Sequence, residues 1–308
     1  MTLSTELALF IVAAFFGCIL SLCCLSWQTN SMNISSVLLS SWLLIGCFVF
    51  FVNSLAMNAK IWCDISIKLM VGVYVGVPAS IICVLHRLYM TISSPNSIPD
   101  KRLYQLLCKL ALMLGIPALI IVVHIIVQDR RYIFIEQAGC IPSISPSLFP
   151  LIAVLIWPLL FNLASLAYLG LVTYSIWAPR GEPRTSPASP ETLTLYCFLR
   201  LYVSLFIGIV CTSSISLFLL AWVIDNSNIS VNSLHHDFQT VYILTTDQWL
   251  RNPQLRTAVE LRWLWISSSL VLAFGLFPNE RAKQLFGWLA SVKVYVRTRI
   301  LHRPTSTA

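Results

Sequence analysis

Long apolar runs broken by short polar stretches dominate the chain. Such runs lie near residues 7–27, 34–56, 64–86, 103–127, 147–177, 193–223 and 259–277. A hydrocarbon core about 30 Å thick needs about 20 residues of helix to cross it. The pattern therefore predicts an all-α integral membrane protein with seven transmembrane helices. The last run is the shortest, and the polar stretch from Asp225 to Arg262 before it leaves its start open in either direction. Pro78, Pro117 and Pro158 fall inside three spans, where each removes a backbone hydrogen bond and can kink the helix. Neighbouring helices or water can satisfy the freed carbonyls, so such prolines suit movable and ordinary membrane helices alike.

Composition agrees with the pattern. The 308 residues are 57% hydrophobic and 10% charged, against the roughly 25% charged of a soluble domain. Residues 1–6 are too few for the basic segment of a cleaved signal peptide, so the first run is expected to be a retained span. Lys and Arg placement sets the orientation. With the N-terminus outside, the inner segments hold Arg87, Lys101, Arg102, Arg180, Arg184 and the six basic residues from Arg281 to Arg303. The outer basic residues are balanced by acids such as Asp64, Glu136, Asp237 and Glu260. The net charge of +8 thus falls mostly on the cytosolic side, and an odd number of spans places the C-terminus there too. Residues 1–277 read as the seven-helix domain, and 278–308 as a cytosolic interfacial amphipathic helix with a short tail. In that last segment Leu285, Leu289, Val292, Val296 and Ile300 keep helical spacing among Lys293, Arg297 and Arg299, which suits anionic lipid. Residues 178–191 contain Pro179, Pro183, Pro187 and Pro190 and read as an irregular linker.

The candidate chemistry is concentrated at the mouth of the third span, Trp62-Cys63-Asp64-Ile65-Ser66-Ile67-Lys68, and at its far end, Leu85-His86-Arg87-Leu88. Asp64 and Lys68 are four apart and share a helix face, so they can pair near the interface. A structural ion pair and a ligand contact are both open readings. Most of the ten cysteines lie in apolar runs as small hydrophobes. Cys63 and Cys140 fall on the same oxidising face, where a disulfide would tie the second outer loop over the third helix, or two free thiols would stand. Asn228-Ile229-Ser230 is a glycosylation sequon. His235-His236-Asp237-Phe238 lacks a third metal ligand at fitting spacing, so a polar loop or helix start is expected there. No motif for catalysis, metal or a cofactor stands in the chain, and no matched broken helices mark an inverted-repeat transporter.

The third-span string, followed by Val77-Pro78-Ala79-Ser80 and Arg87-Leu88, resembles the fungal a-factor-type mating pheromone receptors, the class D G-protein-coupled receptors for lipid-modified peptides. The likeness continues through Val52-Asn53-Ser54, Ile126-Val127-Gln128, Arg131-Tyr132, Glu136, Gly139-Cys140, Arg200-Leu201, His236-Asp237-Phe238 and Phe274-Gly275-Leu276-Phe277. It implies a plasma-membrane receptor, not an enzyme, for a secreted peptide ending in a farnesylated, carboxymethylated cysteine, with a heterotrimeric G protein activated inside. Such a ligand needs an apolar cavity for its lipid and a few polar groups for the rest. The candidates for those groups are Asn53, Asp64, Lys68, Arg131, Glu136 and Asp237, with Arg87 and Arg200 on the G-protein side. Membrane lipid is the other partner implied, nucleic acid is not, and a homodimer stays open.

The chain departs from the family pattern in its inner linker, where only Arg180 and Arg184 replace a longer basic segment, and in a short expected tail. Two rival readings follow. One is a receptor-like protein that binds lipopeptide without coupling, and the other a lipid or peptide transporter.

Overall fold

The computed structural model describes residues 3–30, 33–55, 60–93, 102–128, 130–143, 154–177, 195–226 and 237–277. The inner linker, the Asn228 sequon, His235, His236 and the segment 278–308 lie outside the described residues. In chain order the elements are α1 (Leu3–Asn30), α2 (Ile34–Leu55), α3 (Lys60–Ser93), α4 (Arg102–Leu110), a π-helical turn (Ala111–Gly115), α5 (Ile116–Val127), β1 (Arg130–Ile135) and β2 (Gly139–Ile141). There follow α6 (Ile156–Trp177), α7 (Leu195–Asn226), β3 (Asp237–Leu244), α8 (Thr246–Arg251) and α9 (Pro253–Leu276). With α4, the π turn and α5 forming one rod, seven helices among the described residues are long and apolar enough to cross a membrane. The protein is a seven-transmembrane bundle.

The bundle is organised around α3. In its most apolar stretch 78% of residues are buried, against 28% in α1, the fourth span and α6, so α3 is the central helix and those three face outward. α2, α5, α6 and α7 all pack on it, while α9 closes the ring between α7 and α1. The main core joins Leu39, Val77, Ile81, Leu85, Leu205 and Leu272 across these helices. From Asp64 to Arg87, α3 rises about 34 Å, more than the roughly 30 Å of hydrocarbon. The helix is thus long enough for both charges to stand beyond the apolar layer at opposite ends.

Inside lipid every backbone carbonyl needs a partner, and the fourth span shows how one is supplied. Pro117 has no N–H, so it cannot bond the Met113 carbonyl four residues earlier. The ladder widens there, with the Ile116 N–H bonded to Ala111 O, and the Trp42 Nε1–H of α2 donates to Met113 O at 3.0 Å. To reach it, the indole crosses α3 over Gly72 and Gly76, where any Cβ on Gly76 would collide with the ring. A Gly-x-x-x-Gly notch, the close-packing device of membrane helices, here holds a tryptophan.

A second set of donors closes the end of α9. Its last carbonyls have no intrahelical partners. Cys24 Sγ donates to Ala273 O at 3.1 Å, Gln28 Nε2 to Leu276 O at 2.9 Å, and the Arg200 guanidinium to Phe277 O. Arg200 also lies 5.3 Å from the Phe274 ring. Its position fastens α7 to α9 at the end of the bundle where Arg87 stands exposed.

Several boundaries differ from the hydropathy reading. α3 begins at Lys60 and runs to Ser93. α9 begins at Pro253 rather than near 259, because Asn252 caps it by accepting from Gln254 N at 3.0 Å and Leu255 N at 3.3 Å and Pro253 takes the first-turn position that proline favours. The charged first turns escape a hydropathy count because Arg256 and Glu260 pair along the helix at 2.8 Å. Residues 130–141 and 237–244 form a three-stranded sheet, order β2-β1-β3, with β1 antiparallel to β2 and parallel to β3. Asp237 thus opens a strand, not a helix, paired with Arg130.

Replacing Trp42 with Phe should lower stability by about 1–2 kcal/mol, since the Met113 carbonyl loses its donor. Gly76→Ala should cost more by displacing the indole. Unfolding of the purified protein in detergent would measure both. An unchanged transition for Trp42→Phe would show that the bond contributes nothing.

Candidate functional site

The sheet forms a cap over one end of the bundle, and most of the polar residues singled out in the sequence fasten it there. A disulfide joins Cys63 of α3 to Cys140 of β2, with Cα atoms 5.4 Å apart. Around it, Ile67 and the fully buried Tyr132 form a small core. Asn53, buried at the end of α2, donates to Cys140 O at 3.2 Å and accepts from Trp62 Nε1 at 2.7 Å. Gly139 permits this approach. It has φ +85°, and a Cβ there would lie 2.6 Å from Asn53 O.

Asp64 does not pair with Lys68. It faces Arg131 of β1, accepting from Nε at 2.8 Å and from Nη2. The loop brings a planar two-pronged donor that fits a carboxylate better than an ammonium. With side chains 42% and 35% exposed, the pair contributes little energy and acts chiefly as a positioning contact. Beside this carboxylate the Arg131 guanidinium is held above its ordinary pKa. Lys68 turns inward instead, to Gln128 Oε1 and, at 3.2 Å, to His124 Nδ1. An ammonium has no acceptor, so with Lys68 charged the His124 Nδ1 is the accepting nitrogen. Gln128 in turn donates to Arg130 O at 2.7 Å and to Arg131 O, fixing the start of β1.

Glu136, at the β1–β2 turn, accepts from Thr246 N and Thr246 Oγ1, both at 2.8 Å. These bonds hold its carboxyl below the ordinary carboxylate range. They also join the hairpin to α8, where Ile135, Ala138, Leu244, Trp249 and Val259 form a further core. The backbone of Asp237 lies at the far edge of the same sheet.

Beneath the cap lies an apolar cavity of about 180 Å³ between α2, α3, α7 and α9, roofed by Ile133, Ile135 and Ala138. Among the described residues that line it, Arg262 is the one that carries a charge. Arg262 Nη1 donates to Gln137 O at 2.8 Å, and its guanidinium lies 4.5 Å from the centre of the Phe10 ring. Sequence reasoning passed over Arg262 because it counted only toward orientation. The signal available was an arginine placed directly before the apolar run Trp263-Leu264-Trp265-Ile266. Asn53, Asp64, Arg131 and Glu136 belong to the roof and its fastenings, and none of them lines the cavity.

A seven-helix membrane bundle with a disulfide-tied cap over an apolar cavity has the architecture of the seven-transmembrane receptors. The family model described as pheromone A receptor matches residues 9–283, and the chain belongs to that family. The pheromone B alpha 2 receptor of Schizophyllum commune is 29% identical over 297 residues, 91% of this chain and 45% of that protein. Pheromone receptor 1 of Ustilago hordei is 31% identical over 200 residues, 62% of this chain and 55% of that one. The pheromone a factor receptor of Saccharomyces cerevisiae is 25% identical over 194 residues, 59% of this chain and 41% of that one. The chain spans about half the length of the curated relatives it matches.

The Glu136 contact makes a pH prediction. Its folded pKa is depressed, so the stabilisation is present above the ordinary carboxylate value of 4.5 and is lost as pH falls through the lower folded value. The protection of the Thr246 amide, its exchange rate taken relative to the intrinsic rate at each pH, should fall in that acid window. Glu136→Gln should abolish this loss of protection, and a Thr246 protection that stays constant with pH in the wild type would refute it.

Proposed function

We propose that this protein is a plasma-membrane receptor for a secreted, farnesylated peptide pheromone and that it activates a heterotrimeric G protein. The observation that carries the reading is the capped apolar cavity in a chain of the pheromone A receptor family. The cap lies outside in this reading, which agrees with its disulfide and with the basic residues predicted at the other end. The lipid occupies the cavity, and the peptide lies against the cap near Lys68 and Asp237. Asn53, Asp64, Arg131 and Glu136 serve the site by holding its roof. Arg87, exposed at the opposite end, meets the G protein, and Arg200 governs the end of α9 beside it.

The cavity volume of about 180 Å³ constrains the mechanism. Ligand sites are commonly about 300–1,000 Å³, so a prenyl chain enters only a widened form of this site. A ligand that binds the widened arrangement better than the closed one shifts the population toward it, and equal affinity would shift nothing. The helices that must separate are those lining the cavity, α7 and α9 among them, and these are the two that Arg200 joins at the far end.

The test is G-protein nucleotide exchange in cells lacking their own receptor of this kind, with a panel of farnesylated peptides and their unlipidated forms. A response confined to lipidated peptides is expected. Binding of a labelled lipopeptide at the cell surface without exchange would replace this reading with that of an uncoupled relative, for which the sparsely basic inner linker is the motive. Lipid movement in proteoliposomes lacking a G protein would favour a transporter.

A further inference from the structure

The seam between α7 and α9 is built differently along its two halves. Toward the end fastened by Arg200 the helices close on small residues. A Cβ on Gly208 would collide with Leu272, and one on Gly275 with Ser204, the close approach that small residues allow between membrane helices. At the capped end, about 21 Å further along α7 from Gly208, the seam carries Leu219, Trp222 and Leu261 and borders the apolar cavity. A second space lies against the same stretch of α7. It is an open groove of about 530 Å³ lined by Phe218, Ala221, Trp222, Ile224 and Gln254. Ala221 and Ile224 are exposed on the helix face turned away from the core, so the groove faces lipid. Tryptophan is common at membrane interfaces, but Trp222 belongs to the walls of both spaces, and the cavity and the groove abut at this side chain.

From this we infer that the hydrocarbon chain of the ligand enters the cavity sideways from the outer leaflet, waiting in the groove and passing between α7 and α9 as Trp222 swings aside. The inference rests on the lipid-in-cavity reading above and adds the entrance and its gate. A prenyl chain partitions into a bilayer before it meets a receptor, and by this route it never returns to water. Entry through the roof would draw the chain out of the membrane. It would also have to part the sheet from its fastenings, the Cys63–Cys140 bridge, the Asp64–Arg131 pair and the Glu136 and Arg262 contacts. The lateral route asks for rotation of one indole about two side-chain torsions and a parting of two helices at the end where no glycine locks them. The groove is apolar except for Gln254, which stands in the first turn of α9 at the capped end, where the polar part of the ligand stays at the interface. A residue on the path but outside the site alters the speed of entry and exit together and leaves the affinity as it is.

The test uses that kinetic signature. Ala221 lines the groove and not the cavity, so A221W blocks the entrance without touching the site. Leu217 is exposed on the same helix but does not line the groove, and L217W is the control. Binding of dansyl-labelled S-farnesylcysteine, and of dansyl-cysteine without the chain, is followed by stopped flow on the receptor in nanodiscs. A221W should slow association and dissociation of the farnesylated probe alike, roughly tenfold, while its Kd moves less than about threefold. L217W should leave both rates within about twofold of wild type. On the wild type, a farnesyl probe with a photoreactive diazirine at the end of its chain should label Phe218 or Ile224 early and Met70 or Trp265 at equilibrium. Wild-type rates in A221W, or label in the cavity with none in the groove at any time, would overturn the lateral entrance while the lipid site stands. A loss of affinity in A221W as large as its loss of association rate would make the groove part of the site and overturn its role as an entrance. Label confined to the groove, or equal binding of the two dansyl probes on wild type, would overturn the inference and the lipid-in-cavity reading together.

Discussion

A carbonyl deprived of its donor inside hydrocarbon is the constraint on which this arrangement of helices rests. Pro117 creates such a carbonyl at Met113, and the Trp42 indole reaches it across α3, over Gly72 and Gly76. One side chain therefore fixes the spacing of three helices. The end of α9 repeats the principle with different donors, a thiol and an amide from α1 and a guanidinium from α7. With no hydrophobic force to drive helices together in lipid, close packing and these interhelical bonds decide which helix meets which.

The seven spans were legible because hydropathy reports directly on the solvent a helix meets. Partnership was not legible in the same way. Spacing along one helix places Asp64 beside Lys68, but the competing donor, Arg131, arrives from a loop 67 residues away, and its geometry prevails. The sheet escaped for a related reason. β1 and β3 are short and about a hundred residues apart in sequence, and their parallel pairing leaves no hairpin signal. β1 and β2 do form a hairpin, but Gln137 supplies the left-handed turn position where glycine or asparagine would have announced it.

The candidate site divides along the same line. Residues recognisable from family likeness, Asn53, Asp64, Arg131, Glu136 and the Cys63–Cys140 pair, turn out to be the fastenings of the roof. A recurring string marks what a fold must keep. The wall of the cavity is built from ordinary apolar residues of four helices, which no local pattern singles out, and the one cation among its described lining residues, Arg262, looked like a flanking charge.

The order of elements between the roof and the last helix has a mechanical consequence. β3, α8 and α9 follow one another with almost no intervening chain, Leu244 to Thr246 and Arg251 to Pro253, while β3 pairs with β1 from Val241 to Leu244 and again at Asp237, across an irregularity. The roof is therefore the handle of a lever. Its rigid arm is α9, about 36 Å long, and its tip is clasped by Gln28 and Arg200 at the other face of the membrane. A displacement of the handle would therefore bear on that clasp directly, through α9 itself.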